Sequence, residues 1–142
     1  AVVSSMQGGG LTLDTMHAGG LCGMATFLDP SITTADNLSG QVVARKGDLP
    51  EVHTSVSINV HLMSHMVAGD DASPEKIQPL RNNEMLMLNV ATATSVGVTR
   101  NAEKTKTDLD LRLPICADKG QRISLSRRVG SRWRLIGYGT IV

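Results

Sequence analysis

The strongest constraint on the fold is a twelve-residue segment, Val52–Met63, in which apolar and polar side chains alternate. A period of two puts one set of side chains on each face of a β-strand, whereas a helix would mix the two sets. The intervening positions hold histidine, serine and asparagine, which suit solvent. The segment is therefore predicted to be a long strand whose buried face holds Val52, Thr54, Val56, Ile58, Val60 and Leu62.

Other segments carry the same signature of short strands. Apolar and polar residues alternate over Leu109–Leu113 and Ile123–Leu125, which indicates antiparallel strands with one wet face. The apolar run Met85–Val90 suits a central strand covered on both faces. A buried helical turn stays open there as the alternative, because periodicity alone does not separate the two. Further strand candidates are 41–45, 96–100 and 132–141.

Turn-forming sequences separate these segments. Glycine, proline, asparagine and aspartate cluster between the strands, at 46–50, 69–74, 101–104, 118–120 and 129–131, and such clusters are typical of tight turns. About seven short strands at near-regular spacing after residue 39 predict a closed barrel or a sandwich. The predicted fold class is all-β, with an antiparallel β-barrel as its main part.

The first 29 residues have a different sequence pattern, because glycines interrupt short β-like pieces. We expect them to be the last strands of a preceding domain. Asp29-Pro30 begins the connection, so the predicted organisation is 1–29, a linker at 30–37, and a complete barrel at 38–142. Because Ala1 stands within a β-like pattern, the chain is expected to be a fragment of a longer protein.

Composition excludes several functional classes. Only Phe27, Trp133 and Tyr138 are aromatic, which disfavours a platform on which bare bases stack. Cys22 and Cys116 lack metal or redox spacing and are expected to be reduced thiols. The chain has no apolar run of the roughly 20 residues that span a bilayer, and we expect no membrane association and a cytoplasmic location.

Residues that could carry chemistry are scattered. His53, His61 and His65 could share one strand face, but eight residues of strand span about 26 Å, so one zinc ion cannot take both His53 and His61. We interpret these histidines as facing solvent. Asp108 and Asp110 are interpreted as an outer charged surface. The glycines at 8–10 are not followed by Lys-Ser or Lys-Thr, as a phosphate loop requires. No catalytic, metal-binding or cofactor-binding residue is assigned.

The charge is distributed unevenly. Residues 119–142 hold six basic and no acidic residues, whereas the rest of the chain holds eight basic and thirteen acidic ones. An apparent hairpin around Gly130-Ser131 carries four of these cations near its tip, namely Arg127, Arg128, Arg132 and Arg134. Clustered guanidinium groups can bind phosphates in bidentate fashion, which makes the four arginines candidate contacts for RNA or a partner. Equally open is pairing with Glu84, Asp108, Asp110 or Asp118, which would lock the barrel.

The amino-acid sequence around this hairpin is distinctive. Ser126–Gly139 resembles the closing motif of the gamma subunit of archaeal and eukaryotic translation initiation factor 2, and Asn83–Thr94, Leu113–Ala117 and Leu28-Asp29-Pro30 are also similar to that family. The match is closer to archaeal members. The resemblance implies that 1–29 are the C-terminal strands of the second β-barrel domain. It also implies that 38–142 are the third, a barrel of the elongation factor Tu C-terminal type.

The resemblance further implies a role. Members of the family are GTPases that bind methionyl initiator tRNA, join alpha and beta subunits, and deliver the tRNA to the small ribosomal subunit. GTP and Mg²⁺ would lie in a domain outside this chain. The expected function is thus a barrel scaffold that contacts RNA or protein. Two alternatives are a stand-alone β-barrel interaction module and the barrel of another translational GTPase, and a small hydrolase is a third that no residue spacing supports.

Overall fold

A computed structural model describes residues 1–17, 19–66 and 75–142. The chain divides into two compact units, Ala1–Leu38 and Ser39–Val142. The turn predicted at 69–74 lies outside the described residues. The assignment of the first unit to a second barrel domain stays a prediction.

The described part of the first unit forms a small antiparallel sheet. Its strands are β1 (Val3–Gly8), β2 (Leu11–Thr12) and β3 (Cys22–Thr26), in the order β2-β1-β3. Gly9 and Gly10 join β1 to β2 with φ values of 60° and 80°, as a two-residue type I′ turn requires. A 3₁₀ segment, Pro30–Asp36, follows and is interrupted by backbone outside the helical region.

This first sheet has no core. None of the described residues of this unit is buried, and Leu21 and Phe27, the large apolar residues that flank β3, are 94% and 78% exposed. A sheet of three strands needs a covered apolar face for independent stability.

The second unit is a closed antiparallel barrel. Its strands are β4 (Val52–Leu62), β5 (Met85–Val90), β6 (Ala93–Thr99), β7 (Lys106–Cys116), β8 (Arg122–Val129) and β9 (Arg132–Ile141). Around the barrel the order is β4-β7-β6-β5-β8-β9. The predicted all-β class and barrel are confirmed.

One predicted strand is absent from this barrel. Residues 41–45 are described but form no strand, so the prediction for Gln41–Arg45 was wrong. The physical reason is closure, because a sheet whose first and last strands pair has no free edge to accept another strand. The barrel closes where β4 pairs with β9, from Ile58 opposite Ile141 to Leu62 opposite Gly137.

The core is aliphatic and follows the alternation. Its fully buried members on the strands include Ile58, Leu86, Leu88, Leu109, Ile123, Leu125 and Ile136. The central strand predicted at 85–90 is confirmed, since β5 pairs with both β6 and β8. Only its inward face is covered, however, because Met85 and Asn89 are exposed. The expectation of two covered faces was wrong, since the barrel exterior there carries no second layer among the described residues.

The start of β4 also departs from its prediction. Val56, Ile58 and Val60 are buried as expected, but Val52 is 69% exposed and Thr54 is exposed as well. The pairing of β4 with β7 shifts register between His53 and Ser55. A bulge of this kind exchanges the two faces of a strand, so Val52 points outward and His53 becomes half-buried instead of facing solvent.

A connecting segment lies against the end of the barrel where β8 ends and β5 begins. Ile77 and Leu80 of this segment are buried and belong to the barrel core. The amide of Ile77 donates to the Ser64 carbonyl at 3.2 Å. The segment therefore covers this end of the barrel and brings its backbone close to the arginine hairpin.

Candidate nucleic-acid interface

The four candidate arginines lie at the tip of the β8–β9 hairpin. Gly130 and Ser131 form its two-residue turn, with Val129 opposite Arg132. Gly130 has a φ of 60° and occupies the first central position of the turn, where hairpins favour glycine. The predicted hairpin is confirmed in position and in its turn residues.

Register decides which way each arginine points. Arg127 lies opposite Arg134, and Arg128 lies opposite Trp133. Directly opposed residues in an antiparallel pair share a face, and neighbours along a strand alternate. Arg127, Arg132 and Arg134 therefore belong to one face of the hairpin, and Arg128 belongs to the other. The structure does not bring all four together on one face.

Arg127 points toward the barrel end. On its other side it lies opposite Leu86 of β5, whose side chain is fully buried. Its guanidinium makes an ion pair with Glu84 through Nε, and its Nη2 also donates to the same carboxylate at 3.2 Å. The two side chains are only 17% and 16% exposed. Such a fork-to-fork geometry is the strong form of the arginine–carboxylate contact.

The same guanidinium also holds the covering segment. Nη1 of Arg127 donates to the Gln78 carbonyl at 2.9 Å, and Nη2 donates to the Pro79 carbonyl at 3.1 Å. Glu84 in turn accepts from the Arg81 amide at 2.9 Å. The pair therefore ties β8, the start of β5 and the segment across the barrel end. The sequence allowed each arginine either to bind a ligand or to pair with an acidic residue of the barrel. For Arg127 the structure shows pairing, with Glu84.

The other three arginines are available to a ligand. Arg128 and Arg132 are exposed and Arg134 is half-buried. Among the described residues Arg128 makes one long contact, of 3.3 Å, from its Nε to the Gly130 carbonyl. Across residues 1–17, 19–66 and 75–142 no acidic side chain forms an ion pair with Arg128, Arg132 or Arg134. That all four arginines contact RNA or a partner stays a prediction.

A groove of about 460 Å³ runs beside this tip. Its lining includes Arg127 and Arg128 from the hairpin, and Lys76 and Arg81 from the covering segment. Lys76 and Arg81 are exposed. Sequence reasoning missed these two cations, because their place beside the hairpin depends on the packing of Ile77 and Leu80 into the barrel. The groove also holds Glu75 and Glu84 and so mixes both signs of charge.

The two aspartates on β7 make local contacts. Asp108 accepts from the Ser57 hydroxyl at 2.5 Å and from the Asn101 amide at 2.9 Å. These hydrogen bonds hold the pKa of the Asp108 carboxyl below its usual value, with Ser57 the larger cause. Asp110 pairs with Arg100. Both carboxylates thus lie on the barrel exterior, where the sequence placed them.

The histidines show no metal arrangement. His61 and His65 are exposed as expected, and the His53 Nε2 lies 3.0 Å from the Ala117 carbonyl oxygen. Among the described residues no three potential ligands cluster. Gly8 ends β1, and Gly9 and Gly10 form the turn to β2, whereas a phosphate loop leads into a helix. No helix within the described ranges is long and apolar enough to span a membrane.

Comparison with known proteins decides the family. Residues 54–141, which include nearly the whole barrel, match the family described as "Initiation factor eIF2 gamma, C terminal". The chain belongs to this family. The family resemblance predicted from the sequence of the hairpin is confirmed. The alternative, a barrel from a different translational GTPase, is not supported.

Several archaeal relatives match nearly the whole chain. All three of the following are named translation initiation factor 2 subunit gamma. The protein from Methanococcus aeolicus is 49% identical over 98% of this chain, and that from Methanocaldococcus jannaschii is 47% identical over 98%. The protein from Methanothermobacter thermautotrophicus is 45% identical over 99%. This chain spans about a third of the length of these relatives, 33–34%.

Proposed function

We propose that this chain is the C-terminal barrel region of a translation initiation factor 2 gamma subunit and that it contacts RNA through the tip of the β8–β9 hairpin. Family membership supports the role in translation initiation. The observation that carries the RNA contact is a set of three arginines on both faces of one tight turn, none of them paired with an acidic side chain among the described residues. Guanidinium groups bind phosphate oxygens in bidentate fashion, and a ribbon with cations on both faces fits a groove flanked by phosphates.

In this proposal the larger protein binds methionyl initiator tRNA and delivers it to the small ribosomal subunit in the cytoplasm. Its alpha and beta subunits are the protein partners. We place the GTP and Mg²⁺ of this proposal in residues outside this chain. The barrel then acts as a scaffold, and packing against a nucleotide domain would couple it to the nucleotide state.

The first unit supports the proposal that this chain is part of a longer protein. Leu21 and Phe27, which flank β3, are exposed, and the unit has no buried residue among those described. Further strands that complete a second barrel would cover these two residues. A stand-alone interaction module would have to leave them open to water or keep them for a partner.

The test is binding of fluorescein-labelled methionyl initiator tRNA, measured by anisotropy at fixed salt. The Arg128→Gln/Arg132→Gln/Arg134→Gln variant is expected to bind at least tenfold more weakly, because three charge-assisted phosphate contacts are lost. The matched control Arg45→Gln/Lys46→Gln/Arg112→Gln removes the same charge at exposed positions elsewhere in the same unit. Equal losses in the two variants would reject the hairpin contact and favour the protein-interaction module.

A further inference from the structure

A three-membered stack stands on the outer wall of the barrel, apart from the hairpin tip. Tyr138 of β9 lies with its ring centroid 4.9 Å from that of His61 on β4, at an interplanar angle of 22°. The guanidinium carbon of Arg122 on β8 lies over the same ring, 5.0 Å from its centroid. Because β4 and β8 flank β9, the two groups approach Tyr138 from opposite sides of its strand.

The register and two glycines place this stack. Tyr138 lies opposite His61 in one direction and opposite Ser124 in the other. Its neighbours Gly137 and Gly139 face inward, where a Cβ on Gly137 would meet the β4 backbone, including the Leu62 Cα at 2.9 Å. Glycine thus lets β9 approach β4 closely, and this brings the Tyr138 and His61 rings into contact.

The stack leaves its polar edges free. Stacking uses the flat face of a guanidinium group and leaves its N–H donors, which lie in the plane, for a ligand. In the described part of the chain neither the Arg122 guanidinium nor the His61 ring has a hydrogen-bond or salt-bridge partner. All three members of the stack are exposed, Tyr138 by 39%.

The four strands that form the wall contain no acidic residue. Strands β5, β8, β9 and β4 are consecutive neighbours in the barrel, and their sequences contain no aspartate or glutamate. Around the stack the outward positions carry hydroxyl and amide groups, from Asn89, Ser124 and Thr140. The acidic Asp108 and Asp110 lie on β7, which borders the wall beside β4, and Asp108 accepts from the Ser57 hydroxyl of β4.

We propose that this wall is a second RNA-binding surface, on which Arg122 and His61 contact a phosphate and Tyr138 orients them. Charge complementarity identifies the ligand as a polyanion. Protein partners typically bury aromatic or aliphatic anchors at the centre of an interface, whereas the Tyr138 ring at the centre of this stack already packs against two polar groups. An exposed guanidinium beside hydroxyl and amide groups suits the phosphodiester backbone, which is contacted through such groups.

The test measures binding of the 142-residue chain to a fluorescein-labelled uridine RNA by anisotropy over a range of salt concentrations. The RNA has about twelve nucleotides, a length near the site size of single-stranded RNA surfaces. Arg122→Gln is expected to weaken binding about three- to tenfold and to lower the salt slope by about one. The matched control Arg112→Gln, at an exposed position on β7, is expected to change affinity less than about twofold, as an exposed side chain outside the contact should. Equal effects of the two substitutions would overturn the proposal.

Two further variants test the positioning role of Tyr138. Tyr138→Phe keeps the ring and should bind as the parent does, whereas Tyr138→Ser removes the stack and should lose affinity. Melting temperature, followed by circular dichroism, separates this effect from unfolding. Loss of affinity only in proportion to loss of folded protein would contradict a positioning role.

A glutamate decapeptide tests the alternative ligand. If Arg122→Gln weakens binding of the peptide and not of the RNA, the wall binds acidic protein and the proposal fails.

The hairpin variant Arg128→Gln/Arg132→Gln/Arg134→Gln, measured with the same uridine RNA, distinguishes the wall proposal from the hairpin proposal. An Arg122→Gln effect that persists in that background supports an independent wall. An effect of the hairpin variant alone overturns the wall and leaves the hairpin contact standing.

Discussion

Arg127→Met tests whether the barrel end depends on one ion pair. The substitution keeps an unbranched apolar stem but removes four contacts, two to the Glu84 carboxylate and one each to the Gln78 and Pro79 carbonyls. Glu84 then stays at the barrel end as an uncompensated charge. Breaking a buried pair in this way costs 3–5 kcal/mol. Because both groups are about one-sixth exposed, 17% and 16%, we expect a loss of about 3 kcal/mol.

The assay is urea unfolding followed through Trp133, which is the single tryptophan and lies opposite Arg128 on the same hairpin. The control is Arg128→Met, which changes the same side chain at the neighbouring exposed position and should cost less than about 0.5 kcal/mol. The double variant Arg127→Met/Glu84→Gln removes both charges. Its loss of unfolding free energy should be about 2 kcal/mol smaller than the sum of the losses of the two single substitutions, as expected of contacting residues. Equal costs for Arg127→Met and Arg128→Met would refute the locking role.

Three further predictions concern backbone and charge. Ala91→Gly should stabilise the barrel by about 0.5–1 kcal/mol in thermal unfolding, because Ala91 has a φ of 51° at the first turn position of the β5–β6 hairpin; destabilisation would contradict this. Gly137→Ala should prevent cooperative unfolding or cost more than about 3 kcal/mol, since its Cβ would meet the β4 backbone, and a native unfolding midpoint would contradict the close approach. Ser57→Ala should raise the pKa of Asp108 in a carboxyl-detected NMR titration, since the Ser57 hydroxyl is the main cause of its lowering. Because the pKa of Asp108 is lowered in the folded state, the parent should be more stable than the variant at pH above the ordinary aspartate pKa. This difference in unfolding free energy should disappear as the pH falls through the pKa of folded Asp108. An unchanged pKa in the variant would count against Ser57 as the cause.

Local patterns in the sequence predicted much of the barrel. Alternation over Val56–Val60 identified the buried face of β4, and glycine at 130 with two flanking strands identified the hairpin that carries the arginines. Both features depend on a few neighbouring residues. The exposure of Val52 could not be predicted in the same way, because a bulge opposite β7 reverses the faces and leaves no mark in the alternation itself.

The candidate site shows the same division. The sequence identified the arginine cluster, and it named Glu84 among several acids that could pair with it. It could not tell which arginine pairs, because the inward direction of Arg127 follows from its register with Leu86 and from closure of the barrel. The stack of Tyr138 on His61 was also missed. It joins residues 77 positions apart in sequence, and only the pairing of β4 with β9 brings them together.

The salt dependence of methionyl initiator tRNA binding tests the central claim most directly, because each phosphate contact contributes to the slope of log affinity against log salt. We predict that replacing Arg128, Arg132 and Arg134 by glutamine lowers the magnitude of this slope by about two to three relative to the parent chain. The control at Arg45, Lys46 and Arg112 should keep the parent slope. An unchanged slope in the hairpin variant would contradict the claim that the tip of this barrel contacts RNA.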